Sequence, residues 1–336
     1  MIGTRQANRL RTIVLAALQP PKFPPRRDVE LAAQSRSTAE IAAFSDHFWL
    51  EDGRLAVVAV CLSGAGLPAA LQAGSLRLLV RAALTEFRDA GQALAAARAC
   101  LPAPAESGLS LAVLLADPAS GRQQSATTGE CFAGEILPAG KARPEAGKLI
   151  WVAAGKIERP TTPIMPVEGP PALTAAALRG GRGGAALIAL LLKRKQPEDG
   201  DDARSMIMAN DLAEVPRLLD ELEGFCTARG LPAPSASGLN VALDEALSNI
   251  VLYGFRDGGQ HQICVDMRVL PERLVLEIRD DGVAFDPLQA REPDLTLDLD
   301  HRPIGGLGLH FMRSVLDDIA YRRADGWNIL TMTKRL

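Results

Sequence analysis

The chain has 336 residues, 47% of them hydrophobic and 23% charged, with a formal net charge of −3. That length is about twice an ordinary domain, so two cores are expected, and the apolar share excludes a disordered chain. The small net charge gives no general electrostatic reason to bind nucleic acid or an anionic membrane, so neither is expected as a direct partner. Five cysteines (Cys61, Cys100, Cys131, Cys226 and Cys264) lie far apart without a CxxC and read as reduced, buried thiols rather than as a disulfide framework or a zinc site. Arg5, Arg9 and Arg11 precede an apolar run, Ile13 to Leu18, that is too short for a signal peptide and has no small-residue cleavage site after it. No later stretch approaches the ~20 apolar residues of a membrane helix. The expected location is the cytoplasm.

Residues 6–18 predict a helix with Leu10, Ile13, Val14, Ala17 and Leu18 on one face, able to pair with a second copy as a homodimer or to dock on its own domain. The prolines of Gln19-Pro20-Pro21-Lys22-Phe23-Pro24-Pro25 end it, because proline removes a donor and restricts its predecessor. Strand-like runs at Leu55–Val60, Leu109–Leu115, Leu149–Ala153 and Ala185–Leu192 surround a helical stretch, Leu67–Leu84, which predicts a mixed α/β or α+β layer protein. Gln196-Pro197-Glu198-Asp199-Gly200-Asp201-Asp202 has nothing apolar to bury and reads as a linker. Beyond it the pattern predicts a strand (Ser205–Met208), helices at Leu212–Ala228 and Leu239–Tyr253, strands at Gln262–Val269 and Leu274–Arg279, a helix at Leu309–Leu316 and terminal strands. The expected division is an N-terminal helix (1–19), a first domain (20–195), a linker (196–204) and a second domain (205–336).

Three segments of the second domain carry chemistry. Glu245 and Asn249 stand four apart on a predicted helix and project from one face, where an Asn oxygen can help hold a phosphate-bound divalent ion while the carboxylate stays free as a base. An isolated Glu-x-x-x-Asn is usually no more than a polar stripe. In Arg279-Asp280-Asp281-Gly282-Val283-Ala284-Phe285-Asp286-Pro287, Asp280 can accept from an adenine amine while Gly282 admits the base closely. Alone, that segment would read as a surface turn. Gly305-Gly306-Leu307-Gly308-Leu309 opens the last helix, and free amides at a helix N-terminus seat phosphate.

Together, in this order and spacing, the three segments resemble the GHKL ATPases. Tyr253-Gly254-Phe255, Phe285-Asp286-Pro287 and the ending Asn328-Ile329-Leu330-Thr331-Met332-Thr333-Lys334 are most similar to the bacterial anti-sigma-factor serine kinases. The resemblance implies ATP and Mg²⁺ as cofactors, with Glu245 as base toward a serine hydroxyl of a STAS-domain antagonist. It implies Asn249 on Mg²⁺, Asp280 and Gly282 on adenine, and Gly305, Gly306 and Gly308 around phosphate. It further implies a mobile ATP lid over Gln289–Arg302, a basic role for Arg217 toward phosphate or partner, and a sigma factor as a second partner. The alternative reading is a nucleotide-gated binding protein that transfers no phosphate.

The first domain resembles the metal-dependent serine phosphatases of the sporulation stage II E (PPM) type. The resemblance rests on Phe44-Ser45-Asp46-His47-Phe48-Trp49-Leu50, on Gly53-Arg54-Leu55 and on Ser63-Gly64-Ala65-Gly66-Leu67-Pro68-Ala69-Ala70-Leu71. The expected fold class is therefore α+β, a phosphatase-like α/β sandwich followed by a GHKL (Bergerat) α/β sandwich. That phosphatase chemistry needs two divalent ions held by clustered aspartates. Here Ala43 and Cys61 stand at two of those positions, Ala153-Ala154-Gly155 replaces Thr-Asp-Gly, Gly183-Gly184 lies near the late Asp-Asp, and of the expected acids only Asp46 survives. A pseudophosphatase that binds no catalytic metal is expected, as scaffold or sensor. The competing reading is a phosphatase still active on the phosphorylated antagonist.

Overall fold

A computed structural model describes residues 4–101, 108–135, 147–155, 184–193, 202–289 and 312–336. These fall into two compact units: Met1–Pro20 with Asp28–Arg194, and Pro21–Arg27 with Lys195–Leu336. Against the expected division, the N-terminal helix groups with the first unit, and Pro21–Arg27 and Lys195 group with the second.

In the first unit, helix α1 (Thr4–Ala17) is followed by strands β1 (Val29–Arg36), β2 (Ile41–Trp49) and β3 (Leu55–Ser63). Helices α2 (Gly66–Phe87) and α3 (Ala90–Ala99) come next. Strands β4 (Leu109–Ala116), β5 (Gln123–Thr128), β6 (Cys131–Glu135), β7 (Gly147–Gly155) and β8 (Ala185–Lys193) complete the unit. Two four-stranded antiparallel sheets form, ordered β2-β3-β4-β5 and β1-β8-β7-β6. Strand alternation sends Ala42, Phe44 and Phe48 of β2 and Ala56, Val58 and Val60 of β3 into one core with Ala69, Ala73, Leu76, Val80 and Leu84 of α2. Continuous apolar runs such as Leu55–Leu62 and Ala185–Leu192 are buried along their length, as strands covered on both faces must be. Leu15 packs on the helix–sheet core and Leu18, just past α1, is part of it, whereas Ile13 is 55% exposed. Leu15 and Leu18 thus anchor the end of α1 on its own unit, while Ile13 and Ala17 of the expected apolar face are exposed.

The second unit contains β9 (Ala203–Ala209), a 3-10 turn (Leu212–Glu214), α4 (Val215–Thr227) and α5 (Ala233–Asn249), which runs into a π-helical turn (Ile250–Gly254). Then follow β10 (Gln262–Leu270), β11 (Arg273–Asp280), a 3-10 turn (Pro287–Gln289), a helical stretch at residues 312–315, β12 (Asp318–Ala324) and β13 (Trp327–Arg335). One antiparallel sheet, ordered β12-β13-β11-β10-β9, carries the helices on one face. Met206 and Met208, Ile263, Val265 and Met267, Leu274, Leu276 and Ile278, and Leu330 and Met332 point from alternate positions into a core with Leu218, Leu222 and Phe225 of α4 and Leu239, Leu243 and Leu247 of α5. The mixed helix and sheet class is as expected. Helix α5 starts six residues before the predicted Leu239, with Pro234 in its first turn, where proline's missing N–H costs no helical hydrogen bond. Among the described residues no helix is long and apolar enough to cross a membrane.

Candidate functional site

Helix α5 sets Glu245 and Asn249 one turn apart on the same face. Asn249 Nδ2 donates to Glu245 Oε1 at 2.7 Å, which turns the amide oxygen of Asn249 away from the carboxylate and leaves it to address a ligand. The helix then widens into the Ile250–Gly254 π turn, a distortion that recurs at functional sites. Its last carbonyl, that of Gly254, accepts the Val283 amide at 2.8 Å, so the end of the helix is tied to the loop after β11.

Asp280 closes β11 opposite Asn328 of β13 and is 4% exposed. Its Oδ1 accepts both the Gly282 amide (2.9 Å) and Asn328 Nδ2 (2.8 Å). Asn328 Nδ2 also donates to the Val283 carbonyl at 2.9 Å, and Asn328 Oδ1 accepts from the Tyr321 hydroxyl (2.8 Å) and from Arg323 (2.5 Å). Arg323 donates in addition to the Gly282 carbonyl at 3.2 Å. With every polar atom of Asn328 engaged, the Asp280 carboxylate is locked in one rotamer. Burial raises the Asp280 pKa above the usual carboxylate range, against the pull of Asn328 and the Gly282 amide.

At Gly282 an added Cβ would sit 2.6 Å from the Gly254 carbonyl oxygen and 2.8 Å from Asp280 Oδ1. Backbone blocks the first position, so glycine is required there by packing alone. A side chain there would also crowd Asp280 Oδ1, the oxygen that holds the carboxylate in place. An adenine fits this donor and acceptor set: a fixed carboxylate for its exocyclic amine beside a backbone stripped of Cβ. The Glu245–Asn249 face supplies oxygen donors of the kind a hard divalent ion prefers.

Behind Asp280, the neighbouring Asp281 is gripped from the loop after α5. His261 Nδ1 lies 2.8 Å from Asp281 Oδ1, and its Nε2 lies 3.0 Å and 3.1 Å from the two oxygens of Asp257. Both ring nitrogens face carboxylates, an arrangement that needs both protonated. Burial pulls the imidazole pKa down, but the hydrogen bonds and charges of Asp257 and Asp281 outweigh it and hold it above the ordinary value. The ring also stacks on Phe255 with centroids 4.3 Å apart.

The remaining sequence-predicted residues divide. Arg217 donates to Glu214 (2.7 Å) and to the Ile207 carbonyl (2.8 Å), so it is engaged at the edge strand β9. Gly305, Gly306, Gly308 and nearly all of the expected lid lie outside the described residues, as does most of the expected linker. Asn328, Tyr321, Arg323 and His261 were not singled out from the sequence. The one available signal was the ending that begins at Asn328.

In the first unit, Asp46 accepts from Arg77 (2.9 and 3.2 Å) and from Arg81 (2.6 and 2.8 Å) of α2 and is almost fully buried. Burial raises its pKa, but the two guanidinium groups outweigh this and leave it below the usual carboxylate value. The Cys61 thiol donates to the Ala154 carbonyl at 3.2 Å and is pushed up to about 12 by burial, far from a reactive thiolate. Among the described residues no three His, Cys, Asp or Glu side chains cluster as a metal site.

The family model of the histidine kinase-like ATPase domain matches residues 208–334. The serine/threonine-protein kinase BtrW of Bordetella bronchiseptica is 42% identical over 95 residues, 28% of this chain and 67% of that protein. The chain belongs to this family of ATPase-fold serine kinases. The serine-protein kinase RsbW of Listeria monocytogenes is 28% identical over 118 residues, 34% of this chain and 74% of the relative. Both relatives match only part of the chain. A crystal structure of the RsbU and RsbW domains of Rv1364c from Mycobacterium tuberculosis covers 94% of the chain at 17% identity, with a TM-score of 0.40, too loose to bear on function.

Proposed function

We propose that this protein is an ATP-dependent serine-protein kinase of bacterial partner switching, acting on a STAS-domain antagonist and holding a sigma factor in the alternative complex. The observation that carries the nucleotide reading is the Asp280–Gly282–Asn328 constellation. Two hydrogen bonds, of 2.9 and 2.8 Å, fix one oxygen of Asp280 within the protein, and among the described residues none occupies the other, which is left for an adenine amine. Kinship with serine kinases supports the transfer step.

Asp280 and Gly282 would hold adenine, and Asn249 would hold Mg²⁺, which when bound offsets the charge of the phosphates. Gly305, Gly306 and Gly308 would cradle phosphate. Glu245, held by the Asn249 amide, would accept the proton of the attacking serine hydroxyl, a role that asks for a partly exposed carboxylate beside the phosphate-facing residue. The first unit serves in this reading as a pseudophosphatase scaffold or sensor. The pairing of Asp46 with two arginines supports it, because a carboxylate with both oxygens in guanidinium hydrogen bonds is a poor ligand for a catalytic cation.

Glu245→Ala separates transfer from nucleotide gating. If the protein is a kinase, the variant binds ATP and antagonist with wild-type affinity and phosphorylates nothing. A variant that phosphorylates the antagonist at the wild-type rate would remove Glu245 from the mechanism, and a wild type that binds without ever transferring would leave the gated clamp.

A further inference from the structure

The chain leaves the first unit after Pro20, contributes Pro21–Arg27 to the second, and returns to the first at Asp28. Seven residues of the nucleotide-binding unit are thus covalently flanked by α1 on one side and β1 on the other. Where they attach is specific. On the sheet face opposite the helices, Arg279 donates to the Pro25 carbonyl at 3.0 Å, and Arg26, 6% exposed, donates to the Ser205 carbonyl at 3.4 Å. Lys22 Nζ lies 3.8 Å from Asp281 Oδ2.

Arg279 is itself held by Asp266 and Glu277, and Asp266 accepts from Ser205, so the attachment joins a buried charged network on three adjacent strands. The segment therefore grips residues 279 and 281, the two neighbours of Asp280, whose carboxylate points to the other side of the same strand. Pro21, Pro24 and Pro25 stiffen the segment by fixing φ, so a displacement at one end reaches the other rather than being absorbed.

We propose that Pro21–Arg27 is a coupling strap: nucleotide at Asp280 tightens the backbone at 279–281, the strap orders with it, and the change passes by chain continuity to α1 and β1 of the phosphatase-like unit. The strap gives that unit its route for sensing nucleotide, or for acting on it, since coupling between two sites is reciprocal. The inference rests on the reading of Asp280 as the adenine acceptor.

The test is hydrogen–deuterium exchange on the full chain with and without ATP and Mg²⁺. Exchange at the amides of Lys22, Phe23, Arg26, Arg27 and Asp28 should slow by about fivefold with nucleotide, the lower end of an ordinary coupling. In the triple variant Lys22→Ala/Pro24→Gly/Pro25→Gly, which keeps every strap carbonyl, that slowing should vanish while nucleotide still protects residues 280–283. Protection at 280–283 in the wild type with no change in the strap overturns the coupling alone, and so does a triple variant whose strap responds like the wild type. No protection anywhere overturns the adenine reading and the coupling together.

Discussion

Replacing Asp280 with Asn tests the adenine site with two opposed readouts. To keep the 2.9 Å bond from the Gly282 amide and the 2.8 Å bond from Asn328, the new side chain must place its carbonyl oxygen where Oδ1 now lies. Its NH₂ then takes the position of Oδ2 and presents a donor to the adenine amine, itself a donor. Loss of a hydrogen bond to a charged acceptor is worth about 1.5–3 kcal/mol, which corresponds to a rise of about 10- to 150-fold in the Kd for ATP. Stability should move the other way or stand still, because burial holds the Asp280 pKa above its ordinary value, meaning that the folded protein carries this charge at a cost that Asn removes. Isothermal titration with ATP and Mg²⁺ reads the first effect and thermal unfolding without nucleotide the second. An Asp280→Asn protein that binds ATP as the wild type does would refute the assignment. One that loses binding only because it has unfolded would refute the claim that the Asn328 network survives.

Gly282→Ala should abolish measurable ATP binding and lower Tm, since the added Cβ meets the Gly254 carbonyl at 2.6 Å with only backbone to move; titration and thermal unfolding check both. The His261 clasp predicts a pH effect of definite sign. The folded pKa lies above 6.5, so its stabilisation is complete below 6.5 and drains as pH rises through the raised folded value. His261→Asn should therefore lower Tm more at pH 5.5 than at pH 8.5. In the first unit burial pushes the His47 pKa down to about 4, so stability is full above 6.5 and falls as pH drops toward 4. The loss is about 3 kcal/mol, and His47→Gln should flatten the acid limb of the unfolding profile.

Local periodicity carried the fold: the apolar runs at Leu55–Val60 and Ala185–Leu192 could be placed as strands because nothing polar interrupts them. Helix boundaries were harder to read. The expected start at Leu239 falls six residues inside α5, which begins at Ala233 with Pro234 in its first turn, and the expected helix start at Leu212 is a separate 3-10 turn, Leu212–Glu214, behind an Asp211 cap. Glu245 with Asn249 and Asp280 with Gly282 could be proposed as pairs because each is set by a short spacing along the chain, and each pair is hydrogen-bonded in the structure. Asn328 reaches Asp280 only through the pairing of β11 with β13, and Arg323 reaches Gly282 only through the further pairing of β13 with β12, registers that no local pattern encodes. The prolines of Gln19–Pro25 read as a helix stop, since nothing in their composition indicates that the Pro25 carbonyl and the Lys22 and Arg26 cations are received by residues 179 to 259 positions away.

The central claim is serine phosphotransfer. It is tested most directly by incubating the full chain with labelled ATP, Mg²⁺ and STAS-domain proteins encoded by the same organism, and mapping the labelled residue. One STAS protein should become labelled on serine, with no label when Glu245 is replaced by Ala. ATP binding without labelling of any STAS protein would contradict the account.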